Sequence, residues 1–207
     1  IADRDWSSDV CSSDLAGKST ARKALVDQGL PFIDLDKVGH DILTWDVVKD
    51  DLLAAFGADI MDPYGEVNRP ALARKAFVSP AQTRKLNRIT MPRIEDAFTS
   101  RLAEFEAKGC KAVVVEFSVF KTCEMSLAYS ADVVIAVLAH IDRRIARAVA
   151  SGWDEQDVRR RIAQQITDAE RIGEADVVFN NDGTPEELRN EVIAWWKDYC
   201  AAEGLDI

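Results

Sequence analysis

The sequence predicts an α/β protein of three layers, in which helices cover both faces of a parallel sheet. Four short apolar runs, rich in β-branched residues, recur along the chain, and segments with helical periodicity separate them. Because the runs do not alternate between apolar and polar residues, both faces of each strand are expected to be covered, as in parallel sheets. Ligands of such folds bind at the carboxyl ends of the strands, so functional residues are expected there.

The predicted strands are residues 31–34, 112–117, 132–137 and 176–179. Helices are predicted at 21–28 and 37–43, and four further segments repeat their apolar residues at helical spacing. Those apolar residues are Ile94, Phe98, Leu102 and Phe105; Ile141, Ile145 and Val149; Val158, Ile162 and Ile166; and Leu188, Val192, Trp195, Trp196 and Tyr199. Thr184 and Pro185 predict the N-cap and first turn of the last helix, whose two tryptophans are expected to pack in the core.

The chain has 207 residues, 47% of them hydrophobic, and a formal net charge of −10. This length predicts one domain, or one domain with a small lid. The negative charge argues against binding to nucleic acid or an anionic membrane, because the overall field repels polyanions. No apolar run approaches the roughly 20 residues that span a bilayer, and the four scattered cysteines indicate reduced thiols. We expect a cytoplasmic monomer that acts on a small molecule.

The residues Gly17-Lys18-Ser19-Thr20 form a candidate phosphate-binding loop, or P-loop. In such a loop, backbone N–H groups at a helix N-terminus surround the phosphates, the lysine reaches the β- and γ-phosphates, and the following hydroxyl binds Mg²⁺. The tetrapeptide alone is a weak signal, and the strand that follows about ten residues downstream strengthens it. The motif predicts ATP and Mg²⁺ as cofactors on a P-loop NTPase fold.

Two carboxylates, Asp34 and Asp36, follow the first predicted strand. The strand's period of two places both on one side, at the carboxyl edge of the sheet. A kinase needs a base for the attacking hydroxyl there, and a group close to Mg²⁺. The alternative is a pair of loop acids that cap the helix at 37–43. The neighbouring P-loop motif favours the functional interpretation.

Arginines are concentrated between residues 143 and 171. Guanidinium groups bind phosphate through paired hydrogen bonds, so the segment is a candidate lid over a polyphosphate, with its tip at 151–154. The alternative is a solvated helix face paired with nearby acids such as Asp157 and Asp168, and we favour it for most of these arginines. Arg147 and Arg161 are the two for which we predict a role at the phosphates.

With these motifs placed, the chain from about residue 17 to residue 196 resembles the dephospho-CoA kinase family. The matching segments, in order, are residues 17–20, 32–40, 56–60, 65–69, 86–89, Pro92, 131–135, 161–165 and 175–184. The order of these segments, and the spacing from Lys18 to Asp36, make the match specific.

The resemblance implies transfer of phosphate from ATP to the ribose 3′-hydroxyl of dephospho-CoA within a single domain covering 1–207. It implies a helical substrate-binding region at 37–108 and a lid region at 143–171. It implies that Asp36 is the base and a Mg²⁺ ligand. It places Gly17, Lys18, Ser19 and Thr20 at the nucleotide phosphates, with Ser19 also on Mg²⁺, and Asn181 at the adenine. Arg147 and Arg161 are expected at the transferring phosphoryl group, and Asp34 and His40 at the acceptor. For His40, a structural role stays open as the alternative.

The sequence departs from the family pattern at three places outside the loop. Met91 replaces a histidine before Pro92, and Ser118 begins a stretch that replaces the family's Pro-Leu-Leu-Phe-Glu. Ser151 stands where a further lid arginine is expected. These changes affect the expected acceptor contacts and the charge of the lid, and leave Lys18 and Asp36 in place.

Residues 1–15 do not fit the family. A buried strand that runs into a glycine-rich loop is expected, but the segment holds four acids, and Ser12, Ser13 and Leu15 stand at glycine positions. Serine and leucine resist the positive φ angles and the close backbone approach that glycine permits. The repeated Ser-Ser-Asp sequence leads to the hypothesis that residues 1–15 are a non-native segment, translated from sequencing-adapter DNA that was joined in frame to the gene.

Two other functions stay open at this level. A different small-molecule or nucleotide kinase would share the fold, and a non-catalytic or inactive P-loop protein would result if the altered loop failed to hold ATP. Formation of ADP from ATP with dephospho-CoA, but not with AMP or CMP, distinguishes the three.

Overall fold

The computed structural model describes residues 15–116, 131–163 and 167–205. In chain order its elements are α1 (Lys18–Val26), β1 (Phe32–Asp34), α2 (Leu35–Asp41), α3 (Asp46–Phe56), α4 (Arg69–Ala76), α5 (Pro80–Ala107), β2 (Val114–Glu116), β3 (Ile135–Leu138), α6 (Ile141–Ala150), α7 (Glu155–Ala163), α8 (Asp168–Gly173), β4 (Val177–Asn180) and α9 (Pro185–Glu203). The described residues group into two compact units. Residues 33–105 form the first unit, and residues 15–32 join those from 106 onward in the second.

The strands of the second unit confirm the α/β class. β3 and β4 pair in parallel, with Ile135 opposite Val177 and Leu138 opposite Asn180. β2 lies beside the segment that leads into β1, since the Val114 N–H donates to the Pro31 carbonyl over 2.9 Å. The described strands make two two-stranded sheets, and α1 packs against both β2 and β3. All four predicted strands are therefore present, each shorter or shifted by a few residues.

The core of the second unit lies between these strands and the helices α1 and α9. Its buried side chains are Ala21, Ala24, Leu25, Leu30, Val137, Phe179, Leu188, Val192 and Trp196. Trp195 lies partly buried against this core and meets Phe179 edge to face at 6.0 Å between ring centroids. The prediction that both tryptophans pack in the core is thus confirmed.

The N-terminus of α9 forms where the sequence predicts it. The Thr184 hydroxyl accepts from the Glu187 N–H, and the Glu187 carboxylate accepts from the Thr184 N–H, which makes a capping box. Pro185 occupies the first turn, where its missing N–H costs no hydrogen bond. Such a cap contributes about 1 kcal/mol. Because the residues that form it lie within four positions of one another, the local sequence predicts this helix boundary.

The first unit is built from helices around its own apolar core. The buried residues of that core are Leu43, Val48, Leu52, Phe56, Ile60, Leu72, Ala76 and Leu86. Val48, Leu52 and Phe56 lie four residues apart on α3, so they form one buried stripe. The helical content agrees with the helices predicted for 37–108, while the role of that region in substrate binding and the domain limits stay predictions.

The buried face of α6 differs from the predicted one. The spacing of Ile141, Ile145 and Val149 predicted a common face, yet Ile141 is 40% and Val149 is 44% exposed. The helix buries Arg144, Ile145 and Ala148 instead. Val149 lies about 40° from Ile145 on the side away from Ala148 and Arg144, so it falls outside the buried face, and Ile141 is the first residue of the helix. Ile166 of the next predicted series lies outside the described residues.

Among the helices of the described ranges, none combines the length and apolarity that crossing a membrane requires.

Candidate active site

The candidate P-loop residues lie at the start of α1. The helix begins at Lys18, three residues earlier than predicted, with Gly17 as its N-cap. The N–H groups of Thr20 and Ala21 donate to the Gly17 carbonyl over 3.0 and 3.1 Å. The first N–H groups of a helix have no acceptor within the helix, and the helix dipole favours negative charge at this end. Lys18, Ser19 and Thr20 therefore form the first turn of a helix whose N-terminus is suited to an anion.

Gly17 is required at this position for two reasons. Its φ angle is +105°, a left-handed conformation that L side chains rarely adopt. A Cβ atom at Gly17 would also lie 2.2 Å from Nδ2 of Asn181 and 3.0 Å from a methyl carbon of Leu188. The glycine therefore lets the loop backbone approach the residue that follows β4.

Lys18 is held by an acid that was not among the predicted site residues. Its Nζ lies 2.9 Å from Oε1 of Glu116, and Nη1 of Arg22 lies 3.4 Å from Oε2 of the same carboxylate. The Glu116 side chain is 12% exposed and stands at the last position of β2. Glu116 falls within the apolar strand predicted at 112–117. The signal that was available is a lone charge at the carboxyl end of that strand, where ligands of α/β folds bind.

Asp34 and Asp36 belong to the first unit and lie at the junction of β1 and α2. Oδ1 of Asp34 accepts from the Lys37 N–H over 2.9 Å and caps α2. Asp36 lies within the first turn of α2. The expectation that both carboxylates extend from one strand is wrong, because the strand ends at Asp34 and the helix begins at Leu35, two residues earlier than predicted. The capping interpretation holds for Asp34, and the role of Asp36 as a base stays a prediction.

His40 lies near the end of α2, half-buried, in the same acid-rich stretch. Burial is the largest cause that lowers the pKa of His40 below 6.5, and the charge of Arg69 adds to it. Asp36, Asp34 and Asp41 raise the pKa and only partly offset these causes. The neutral imidazole is therefore favoured near pH 7, in a form that accepts or donates a single hydrogen bond at each nitrogen.

Arg147 lies on α6 and is engaged by backbone and amide oxygens. Its Nη1 donates to the Leu15 carbonyl over 3.2 Å, and its Nη2 lies 2.9 Å from the Asn181 carbonyl. The same Nη2 lies 3.4 Å from Oδ1 of Asn181 and 3.3 Å from the Gly183 carbonyl. Nδ2 of Asn181 donates to the Ala16 carbonyl over 2.8 Å. The structure thus brings Arg147 and Asn181 to the start of the P-loop, and their predicted roles at the phosphoryl group and the adenine stay predictions.

The other arginines of the predicted lid are largely paired with acids. Arg159 contacts Glu155 at 2.9 Å, and Arg160 contacts Asp157. Arg144 and Arg171 both contact Asp168, at 3.4 and 3.6 Å. The alternative of a solvated, paired helix face is confirmed for Arg159 and Arg160, which are exposed. Arg144 and Arg171 are paired with an acid but lie largely buried. Arg161 lies within α7, and its side chain is outside the described residues.

Of the three departures from the family pattern, two lie in described helical segments. Met91 lies inside α5, next to Pro92. Ser151 caps the C-terminus of α6, and its hydroxyl donates to the Arg147 carbonyl over 3.0 Å. Ser118 lies outside the described residues. Ser151 therefore ends the helix that carries Arg147, in place of a further positive charge.

Comparison with known proteins gives the same family along most of the chain. The family model described as dephospho-CoA kinase matches residues 15–187. The dephospho-CoA kinase of Corynebacterium efficiens is 43% identical over 176 residues, which cover 84% of this chain and 87% of that protein. The dephospho-CoA kinase of Corynebacterium glutamicum is 40% identical over 178 residues, with 85% and 88% covered.

Solved structures agree with this fold. The crystal structure of TT1252 from Thermus thermophilus has a TM-score of 0.70 and 25% identity, and the match covers 89% of this chain and 92% of that one. The dephospho-CoA kinase from Campylobacter jejuni has a TM-score of 0.57 at 19% identity, with 88% and 91% covered, which shows a common fold.

The family match also has a clear beginning. It starts at Leu15, so residues 1–14 lie outside it, while Leu15, predicted to belong to the non-native segment, lies inside. Those residues are also outside the described part of the structure, and their proposed non-native origin stays a hypothesis. From Leu15 onward the match includes Gly17, Lys18 and Asp36, and the chain belongs to the dephospho-CoA kinase family.

Proposed function

We propose that this chain transfers the γ-phosphoryl group of ATP to the ribose 3′-hydroxyl of dephospho-CoA, giving coenzyme A and ADP. The observation that carries the proposal is the turn at Gly17, which opens α1 with Lys18 and Ser19 in its first turn. That turn lies in a chain whose match to the dephospho-CoA kinase family covers both the turn and Asp36. A helix N-terminus alone would support only anion binding, and the family match supplies the reaction.

A protein accelerates phosphoryl transfer mainly by positioning the reactants and by stabilising the negative charge of the transition state. That transition state is loose, and its charge is spread over the phosphoryl oxygens. In our proposal the first-turn N–H groups of α1 and the Lys18 ammonium hold the β- and γ-phosphates. Lys18 leaves Glu116 or shares its contact when nucleotide binds. Arg161, from α7, neutralises charge on the transferring group.

The residues proposed for Mg²⁺ fit that ion chemically. The Ser19 hydroxyl and the Asp36 carboxylate are hard oxygen donors, which Mg²⁺ prefers. Within the described ranges, no group of three or more His, Cys, Asp or Glu residues is arranged to hold a metal. In kinase sites Mg²⁺ is bound mainly by nucleotide phosphates and water, with one or two protein oxygens. When bound, the ion supplies positive charge to the phosphate oxygens.

Asp36 acts as the general base in this proposal. Its carboxylate takes the proton of the 3′-hydroxyl as the hydroxyl oxygen forms a bond to the γ-phosphorus, and the bond from that phosphorus to the ADP oxygen breaks. His40, on the same helix, contacts the acceptor as a neutral imidazole. Asp34 contacts the acceptor through its remaining carboxylate oxygen, since Oδ1 already caps α2.

The test is ADP formation from Mg-ATP with dephospho-CoA, compared with AMP and CMP as acceptors. We expect turnover only with dephospho-CoA, and Asp36→Asn to lower turnover about 10²–10⁴-fold while ATP affinity stays within a few-fold. The matched control is Asp50→Asn, the same change at an exposed position of α3, which should retain full turnover.

Three other outcomes would contradict parts of the proposal. Turnover with AMP or CMP would identify another kinase specificity. ATP binding without turnover would favour a non-catalytic protein, and loss of ATP affinity in Asp36→Asn would assign Asp36 chiefly to the metal.

A further inference from the structure

Asn181 is a buried polar residue that contacts the start of the P-loop. It is 4% exposed and follows β4 directly. Its backbone N–H donates to the Leu138 carbonyl over 2.7 Å, which fixes it at the end of the β3–β4 ladder. From there Nδ2 donates to the Ala16 carbonyl over 2.8 Å. A buried amide that loses its acceptor is costly, so this hydrogen bond ties the backbone before Gly17 to the sheet.

Arg147 reinforces the same connection from α6. Its guanidinium reaches oxygens in two separate segments, at Leu15 before α1 and at Asn181 and Gly183 after β4. A planar guanidinium presents five N–H donors in a fixed fork, an arrangement that the three donors of a lysine ammonium on a flexible chain do not reproduce. The side chain of Leu15 adds an apolar contact, since it packs against the cluster of Ile145, Ala148 and Val158 on α6 and α7.

We propose that Asn181 and Arg147 act together as positioning residues that fix the backbone at Leu15 and Ala16, and with it the first turn of α1. The proposal rests on the proposed kinase function only where it concerns ATP. It differs from the predicted role of Arg147, in which the guanidinium touches the transferring phosphoryl group. A residue bonded to loop carbonyls acts on nucleotide binding through the loop, whereas a residue on the phosphoryl group acts on the chemical step.

Amide hydrogen exchange in the full-length protein without nucleotide tests the positioning role directly. The N–H groups of Thr20 and Ala21 report the first turn, because both donate to the Gly17 carbonyl. We expect Asn181→Ala and Arg147→Lys each to speed their exchange about tenfold or more, as loss of a buried hydrogen bond allows. Because Arg147 donates to Asn181 itself, the two residues are coupled, and the double variant should exceed the larger single effect only slightly.

A matched control is Arg189→Gln. Arg189 contacts Asp27 at 2.6 Å and so joins α9 to the far end of α1. This variant should leave the exchange of Thr20 and Ala21 within about twofold of the wild type. Amides of α3 in the first unit serve as the internal reference, since equal acceleration there would indicate general unfolding and would refute a local positioning role.

Titration with Mg-ATP then separates this proposal from the function on which it partly rests. We expect Asn181→Ala and Arg147→Lys to raise the Kd for ATP at least fivefold, with a smaller change in kcat. Unchanged exchange at Thr20 and Ala21 would overturn the positioning role whatever ATP does. A loss of kcat in Arg147→Lys with unchanged Kd and exchange would assign Arg147 to the phosphoryl group instead. Failure of the wild-type chain to bind ATP would refute the proposed function, while the exchange result would still decide the positioning role.

Discussion

Replacement of Gly17 by alanine should lower the free energy of unfolding of the second unit through two separate costs, one from backbone conformation and one from displacement of Asn181. Gly17 is buried at the start of α1, with φ at +105°. A left-handed conformation costs an L residue about 1–2 kcal/mol. The added Cβ atom would also lie 2.2 Å from Nδ2 of Asn181, closer than any real contact, so the Asn181 side chain must move.

Movement of Asn181 gives the second part of the cost. Its amide would lose the hydrogen bond to the Ala16 carbonyl, and a buried polar group without its partner costs about 1–3 kcal/mol. The expected total for Gly17→Ala is therefore about 2–5 kcal/mol. The steric and hydrogen-bond part can be isolated by comparison with a glycine that carries the conformational cost alone.

Gly29 provides that comparison within the same unit. Its φ angle is +95°, and a Cβ atom there would meet nothing within 4 Å. Gly29→Ala should cost only the conformational part, about 1–2 kcal/mol, and the entropic effect of alanine on the unfolded chain is common to both variants. Urea unfolding followed by circular dichroism gives both values from the midpoint and slope. Equal losses within about 0.5 kcal/mol would refute the close approach of Gly17 to Asn181.

Three further predictions concern stability. Leu52→Ala, at a fully buried position of α3, should cost about 2–5 kcal/mol in urea unfolding. Its neighbour Leu53→Ala, at 40% exposure, should cost less than about 1 kcal/mol, and similar losses would contradict the assigned buried face. Because the pKa of His40 is lowered below 6.5 in the fold, the folded state binds this proton less readily than the unfolded one. Stability contributed by neutral His40 should therefore be complete above about pH 6.5 and fall as the pH drops below it, and His40→Gln should flatten that fall in urea midpoints measured across this range. Thr184→Ala should cost about 1 kcal/mol by removing the cap of α9, and an unchanged midpoint would show that the cap contributes nothing.

The elements of the fold that sequence predicts well are those whose causes are local. A continuous β-branched run specifies a strand wherever it is covered on both faces, so β1 to β4 were found within a few residues. The start of α9 is predicted by Thr184 and Glu187, because the side chain of each accepts a hydrogen bond from the backbone N–H of the other. The start of α1 was misplaced because Gly17 caps it through backbone conformation, with no side-chain hydrogen bond to signal it.

The contacts of the candidate site are not local, and the sequence predicted them less completely. Arg147 reaches Leu15 across 132 positions of the chain, and no periodicity connects such distant residues. Arginine enrichment indicated the segment that carries Arg147 but not the oxygens that it binds. The role of Glu116 was not predicted for a related reason, because it depends on Lys18 lying beside the end of β2, a contact between residues far apart in sequence.

The net charge of −10 and the proposed binding of a triphosphate are compatible because the relevant field is local. Lys18, Arg22 and Glu116 together sum to +1 at the start of α1, and the helix N-terminus adds about half a positive charge. Glu116 holds the two cations near the P-loop in the absence of nucleotide, and competing phosphates bring more negative charge than one carboxylate. Interactions between exposed charges more than about 10 Å apart are largely screened at physiological salt, so the acids elsewhere weaken this attraction little. The overall charge therefore disfavours extended polyanions, while the start of α1 remains suited to a small one.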